Sequence, residues 1–244
     1  MVDRLFAAAP AAGCWLLESH VPRAWVDLNR DRRELDAGMF EGPPPEDLDL
    51  LADSARVAAG LGVIPRIVSE GVEINPGPLT WEQARWRIRQ GYEPYHAALA
   101  GLIARLRRRF GQVVLIDCHS MPVSAARAMT PLAGRRPQII LGDCEGESCS
   151  PLLTGVLEEM FTRSGLRVSR NRVYSGGYIT RHYGACGMGV HAIQIEINRE
   201  LYMDEKELVP HDGFAELRRI ISGVIGALPA RLSPLWGGLP AAAE

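Results

Sequence analysis

Two periodicities divide this chain. Val113-Val114-Leu115-Ile116 runs unbroken into Asp117-Cys118-His119-Ser120. Four apolar residues ending in polar ones predict a strand buried on both faces, with its chemistry at the carboxyl end, where open α/β sheets place ligands. Residues 191–200 alternate at period two: Ile193, Ile195 and Ile197 face one way, and Gln194, Glu196 and Asn198 the other. Shorter apolar runs predict strands at 14–17, 24–31 and 138–141. Residues 63–68 are strand-like, with Pro65 confining them to an edge or an irregular segment.

Helical spacing predicts helices at 3–9, 46–59, 99–110, 151–165 and 214–225. Another begins at Thr80-Trp81-Glu82-Gln83, a capping box, and meets Gly91 and Pro94, which break or kink it. Ser150-Pro151 is an N-cap and first-turn pair, and Gly60 stops the helix before it. Residues 42–45 and 71–79 read as turns, and 121–137 as a loop that lines or covers a site. Strands alternating with helices, without an internal repeat, predict an α/β fold with a mixed, largely parallel sheet flanked by helices. Residues 1–228 read as one domain and 229–244 as a frayed Pro- and Ala-rich tail.

Composition narrows the function classes. A formal net charge of -2 gives no bulk electrostatic case for nucleic acid or anionic membrane. No apolar run approaches a membrane span, and the opening Met1-Val2-Asp3-Arg4-Leu5-Phe6 predicts no secretory leader. Five cysteines without a Cys-x-x-Cys pair predict free thiols in a reducing cytoplasm. The spacing of Cys144 and Cys149 suits a structural role better than a metal pair. Arg105, Arg107, Arg108 and Arg109 read as a solvated face complementing a helix dipole. Gly184, Gly187 and Gly189 precede a strand rather than a helix, which rejects a phosphate loop.

The residues alone leave their chemistry open. His119 is either a core histidine bonded to a backbone carbonyl or a functional group. Glu196, an acid in an apolar strand, is either one half of a structural ion pair or catalytic. Asp27, Asn29 and Arg30 suit a turn closed by a surface ion pair. Cys118 as a nucleophile lacks a base partner.

Taken together, Val26-Asp27-Leu28-Asn29-Arg30, Pro94-Tyr95-His96, residues 115–122, Leu141-Gly142-Asp143, residues 176–184 and residues 191–203 resemble, in order, the N-formylglutamate amidohydrolase family, which is distantly similar to zinc carboxypeptidases and aspartoacylase. The resemblance implies a zinc-peptidase-like fold and a cytoplasmic enzyme of histidine catabolism. It further implies zinc-dependent hydrolysis of the amide of an N-acyl amino acid, with N-formyl-L-glutamate as substrate. His119 corresponds to a zinc ligand, Asn29 and Arg30 to a carboxylate clamp, and Glu196 to the general base. Arg181 would hold a second carboxylate or polarise the scissile carbonyl, with Tyr178, His182 and Gln194 beside it. The family's other zinc ligands precede a segment resembling Val2-Asp3-Arg4-Leu5-Phe6, where this sequence begins. Both are therefore expected to be missing, zinc binding to be weak, and a protein that binds acidic metabolites without catalysis is the rival expectation.

Overall fold

In a computed structural model, which describes residues 1–51, 53–68, 71–129 and 136–236, the chain forms two compact units. One comprises Met1–Glu18 and the chain from Ile103 onward, the other Ser19–Leu102. The α-helices in chain order are α1 (Val2–Phe6), α2 (Ala55–Ala58), α3 (Trp81–Arg87), α4 (Glu93–Phe110), α5 (Val123–Ala128), α6 (Pro151–Arg163), α7 (Tyr178–Tyr183) and α8 (Gly213–Leu232). The strands are β1 (Val113–Met121), β2 (Ile139–Gly142), β3 (Val168–Arg170), β4 (Val190–Asn198), β5 (Met203–Asp204) and β6 (Val209–Pro210).

The main sheet has the order β1-β4-β2-β3. β1 pairs with β4 and β2 with β3 in parallel, while β2 and β4 are antiparallel. The fold is therefore the expected mixed α/β class with a mostly parallel sheet and flanking helices. Alternation along β4 sorts its side chains between two environments. Ile193, Ile195 and Ile197 enter the core with Leu5 and Phe6 of α1, Leu153, Leu157 and Phe161 of α6, and Leu217 and Ile221 of α8. Each fully buried side chain of this size contributes ~1.5–3 kcal/mol. The opposite face carries Gln194, Glu196 and Asn198, and the parallel register sets Asp117 and His119 of β1 beside Gln194 and Glu196. Ile140 of β2 pairs with Glu196 and joins Met121, Ala126 and Met129 in a smaller cluster.

Several local expectations fail for identifiable reasons. Residues 14–17 form no strand, since the chain there closes a turn in which Cys14 N donates to Ala9 O. Residues 24–31 spend their amides on turns: Trp25 N and Val26 N both bond Pro22 O, and Asn29 N bonds Asp27 Oδ1. The helix expected over 46–59 shrinks to α2, because Leu51 N is drawn to Arg33 O and the capping Ser54 starts the helix late. β1 lies at one end of the strand order, so only Val113, Asp117 and Met121 are buried in it. The expected loop at 121–137 contains α5, and its residues 130–135 lie outside those described. The expected tail begins as the last turn of α8, while its residues 237–244 are likewise outside.

The capping box at Thr80 is formed in both directions: Gln83 N donates to Thr80 Oγ1 at 3.2 Å, and Thr80 N to Gln83 Oε1 at 2.8 Å. Beyond it the helix does not break at Gly91 and Pro94. A π-helical turn over Ile88–Tyr92 carries the chain into α4, the kind of insertion that absorbs a disrupted hydrogen-bond ladder. A Cβ on Gly91 would lie 2.8 Å from Val26 Cγ1, so this residue keeps the π turn against the Trp25–Val26 turn within the Ser19–Leu102 unit. Arg105 stands over the Trp15 ring at 4.3 Å, which gives one member of the basic cluster a definite aromatic partner.

His191 ties the start of β4 to the start of α6. Its Nδ1 accepts from Ser150 N at 3.2 Å, and its Nε2 lies 3.3 Å from Gln112 Oε1. Burial lowers its pKa below the ordinary value of 6.5. Because the unfolded chain takes up this proton first, the stabilisation is complete above the unfolded pKa and is lost as pH falls below it. Melting temperature should therefore drop from pH 7 to pH 5, and His191→Gln should flatten that part of the curve.

Candidate active site

The polar face of the sheet is built as two pairs. His119 Nε2 lies 2.8 Å from Asp117 Oδ1, with the Asp117 side chain 9% exposed. The ring thus has a carboxylate partner. That partner orients the ring, and an imidazole that donates from Nε2 presents Nδ1 as its lone-pair atom. One strand away, Gln194 Nε2 donates to Glu196 Oε1 at 2.8 Å, and both side chains are buried. Since His119 and Glu196 are register partners, the two residues singled out in separate sequence segments stand on adjacent strands.

A glycine allows this face to be covered. Gly142 is the register partner of Gln194. A Cβ there would sit 2.8 Å from both Tyr174 O and Ser175 C and 2.9 Å from Gly176 N, so residues 174–176 cross directly over the end of β2. Gly176, at φ +135°, has Cys144 Sγ and Thr180 Oγ1 each 2.6 Å from its own Cβ position. The segment then turns into α7, which packs on β4 and β1. Arg181 and His182 are exposed on α7, and Arg181 Nη2 reaches Gly176 O at 3.5 Å. The Tyr178 and His182 rings stack with centroids 4.8 Å apart.

Sequence reasoning did not assign the support beneath this cover. Asp143, buried directly after Gly142, accepts from Gly146 N at 2.9 Å, Asn171 Nδ2 at 2.7 Å and Thr154 Oγ1 at 2.9 Å. It thereby holds the chain entering the 174–176 crossing. Its only signal in the sequence was its place in the Leu141-Gly142-Asp143 stretch.

Asn29 and Arg30 belong to the Ser19–Leu102 unit. Asp27, itself buried, organises their turn, accepting from Asn29 N at 3.0 Å and from Arg23 Nε at 2.8 Å. Arg30 Nε donates to Leu61 O and Nη1 to Asn29 O, each at 2.8 Å. Its guanidinium is 3.7 Å from Asp27 and only 13% exposed, and desolvation holds its pKa below the ordinary arginine value. The ion pair expected at the surface is thus largely buried. Tyr92 OH and His96 Nε2 brace the same turn through Arg30 O and Leu28 O, both at 2.9 Å. Neither had been assigned a role from sequence.

Cys118 faces the apolar core rather than the polar pair beside it. Burial, and secondarily the Asp117 charge, pushes its thiol far above the ordinary range, the opposite of an activated nucleophile. Iodoacetamide at pH 8 should leave Cys118 unmodified in the folded protein and label it after denaturation, as read by peptide mass spectrometry. Burial, as the largest cause, also pushes Cys149 up to about 12, in keeping with a structural thiol. Among the described residues, no group of three or more His, Cys, Asp or Glu side chains is placed to hold a metal ion, and no helix is long and apolar enough to cross a membrane.

Comparison with known proteins agrees with this architecture. Residues 1–203 match the N-formylglutamate amidohydrolase family. An N-formylglutamate deformylase of Pseudomonas aeruginosa is 32% identical over 242 residues, covering 97% of this chain and 81% of that protein. One from Pseudomonas putida is 30% identical over 211 residues, covering 84% and 70%. The crystal structure of an N-formylglutamate amidohydrolase from Ralstonia eutropha superposes with a TM-score of 0.86 at 32% identity, covering 94% of this chain and 81% of that one. The stretches that carried the resemblance in sequence supply both polar pairs on the sheet and α7, which packs on the same strands, and the chain belongs to the N-formylglutamate amidohydrolase family.

Proposed function

We propose that this chain hydrolyses the formamide bond of N-formyl-L-glutamate to formate and glutamate. The observation that carries the reading is the pairing of a buried, amide-held Glu196 with a carboxylate-held His119 on one sheet face, in a chain whose relatives are named for that reaction. Glu196 takes a proton from water as the oxygen bonds to the formyl carbon. It returns that proton to the nitrogen as the C–N bond breaks, so one group serves as base and then as acid. Arg181, exposed on α7, binds a substrate carboxylate or polarises the carbonyl, with Tyr178 and His182 alongside it. Asn29 and Arg30 are the proposed partners of the α-carboxylate.

A catalytic zinc takes three protein ligands and a water. His119 offers one donor, and the described residues place no group of three. They therefore do not fit a complete zinc centre, and the steps above use none. That donor set is also what favours the second reading, a protein that binds acidic metabolites without turning them over. Incubating the purified chain with N-formyl-L-glutamate, with and without added zinc, and following both products by NMR separates the two. Formate and glutamate in equal amounts support hydrolysis, whereas saturable binding by calorimetry without formate supports the second reading.

Arg30→Lys keeps the charge but loses the planar fork. N-formyl-L-glutamate should then bind about tenfold more weakly, a difference of about 1.4 kcal/mol, with the fold retained. Unchanged affinity by calorimetry would remove Arg30 from the clamp.

A further inference from the structure

Gln194 carries an acceptor that the fold leaves unused. The residue is 4% exposed, and its side-chain Oε1 is buried with no hydrogen-bond partner among the described residues. As the general base of the proposed hydrolysis Glu196 is ionised and only accepts, so the atom 2.8 Å from its Oε1 is the NH₂ of Gln194. The carbonyl oxygen is then the free end. A buried acceptor left unmade is costly, and native proteins pair almost all of them. One that stands beside a general base is matched to a donor that arrives with the ligand.

We infer that Gln194 Oε1 accepts the N–H of the scissile amide and is the group that distinguishes this amide from an ester. The inference rests on the proposed hydrolysis and assigns a specificity-determining residue to it. The attacking water and the amide nitrogen become bonded to the same carbon during the reaction. Glu196 must serve both, first taking the water's proton and then delivering it to the nitrogen. The Gln194 amide is suited to this because it holds Glu196 with one end and presents its acceptor beside it with the other. The nitrogen is thereby kept facing the acid while the C–N bond breaks. No further reagent is needed, since the proton taken from water is the one delivered. An ester with oxygen in place of N–H would bring a lone pair against Oε1 and leave it unsatisfied.

The test compares N-formyl-L-glutamate with its formate-ester counterpart, in which oxygen replaces the N–H, on wild type, Gln194→Met and Gln194→Glu. Met keeps the length and removes both polar ends; Glu keeps an acceptor oxygen. The amide-to-ester ratio of kcat/KM cancels intrinsic ester reactivity when variants are compared. Where there is no turnover, the ratio of binding constants from calorimetry takes its place. The ratio should fall by about 10–100-fold in Gln194→Met, the range expected for stranding a buried polar partner, and stay within about threefold of wild type in Gln194→Glu. An equal loss toward both ligands, leaving the ratio unchanged in Gln194→Met, would show that the residue acts only through Glu196 or water and would overturn the inference. Should wild type bind neither ligand, the substrate reading itself fails, and this assignment with it.

Discussion

Glu196→Gln is expected to lower kcat for N-formyl-L-glutamate by ~10²–10⁴, the contribution of a positioned general base, with little change in melting temperature. The replacement preserves side-chain size and an acceptor for Gln194 Nε2, which now reaches Glu196 Oε1 at 2.8 Å, while removing the atom that takes a proton. Its backbone neighbours Ile195 and Ile197 are fully buried on the opposite face and are untouched. A structural ion pair predicts the reverse, a lower melting temperature with turnover per folded molecule intact. Melting and turnover measured on one Glu196→Gln sample therefore decide the role, and a large stability loss with full activity would end the catalytic assignment.

Gly142→Val should cost stability at the upper end of the about 1–3 kcal/mol typical of overpacking, or beyond it, and should abolish most of the activity. The Cβ position is met at 2.8–2.9 Å by backbone atoms of residues 174–176 rather than by a flexible side-chain tip. The crossing segment must therefore lift, carrying α7 with Arg181 and Tyr178 away from β4. A chemical denaturation curve and an assay of the surviving folded fraction measure the two losses separately. Normal activity in a fully folded Gly142→Val protein would mean that the crossing does not position α7.

The polar face was legible in outline because period-two alternation fixes which β4 residues share a side, whatever the partner strand. That put Gln194, Glu196 and Asn198 together from sequence alone. The parallel register that sets His119 beside Glu196 was not legible, since a crossover connection leaves no local trace. The same blindness explains residues 14–17 and 24–31: a short apolar run specifies a strand only if a ladder partner exists, and turn hydrogen bonds claimed these amides instead. Cover and support were equally hidden. Gly142 matters through an approach from residues 174–176, far along the chain, and Asp143 through partners on both α6 and the chain before α7. Arg30 could be marked as a clamp candidate by resemblance, but its burial and its two carbonyl bonds emerge only once Leu61 is folded against it.

The strand order has a consequence for how the protein is made. β4 lies between β1 and β2 yet follows both in the chain. Until it leaves the ribosome, β2 can pair only with β3, and β1 has no partner in the sheet at all. The nascent chain thus carries one open apolar edge from residue 121 and a second from residue 142, until β4 is made, the kind of edge that recruits other chains. Before then only the Asp117–His119 half of the polar face has been made, and the strand that supplies the base is also the one that closes the sheet. A nascent chain halted before β4 would hold both edges open and depend on chaperones, whereas one released just after Asn198 has every pairing of the main sheet available to it.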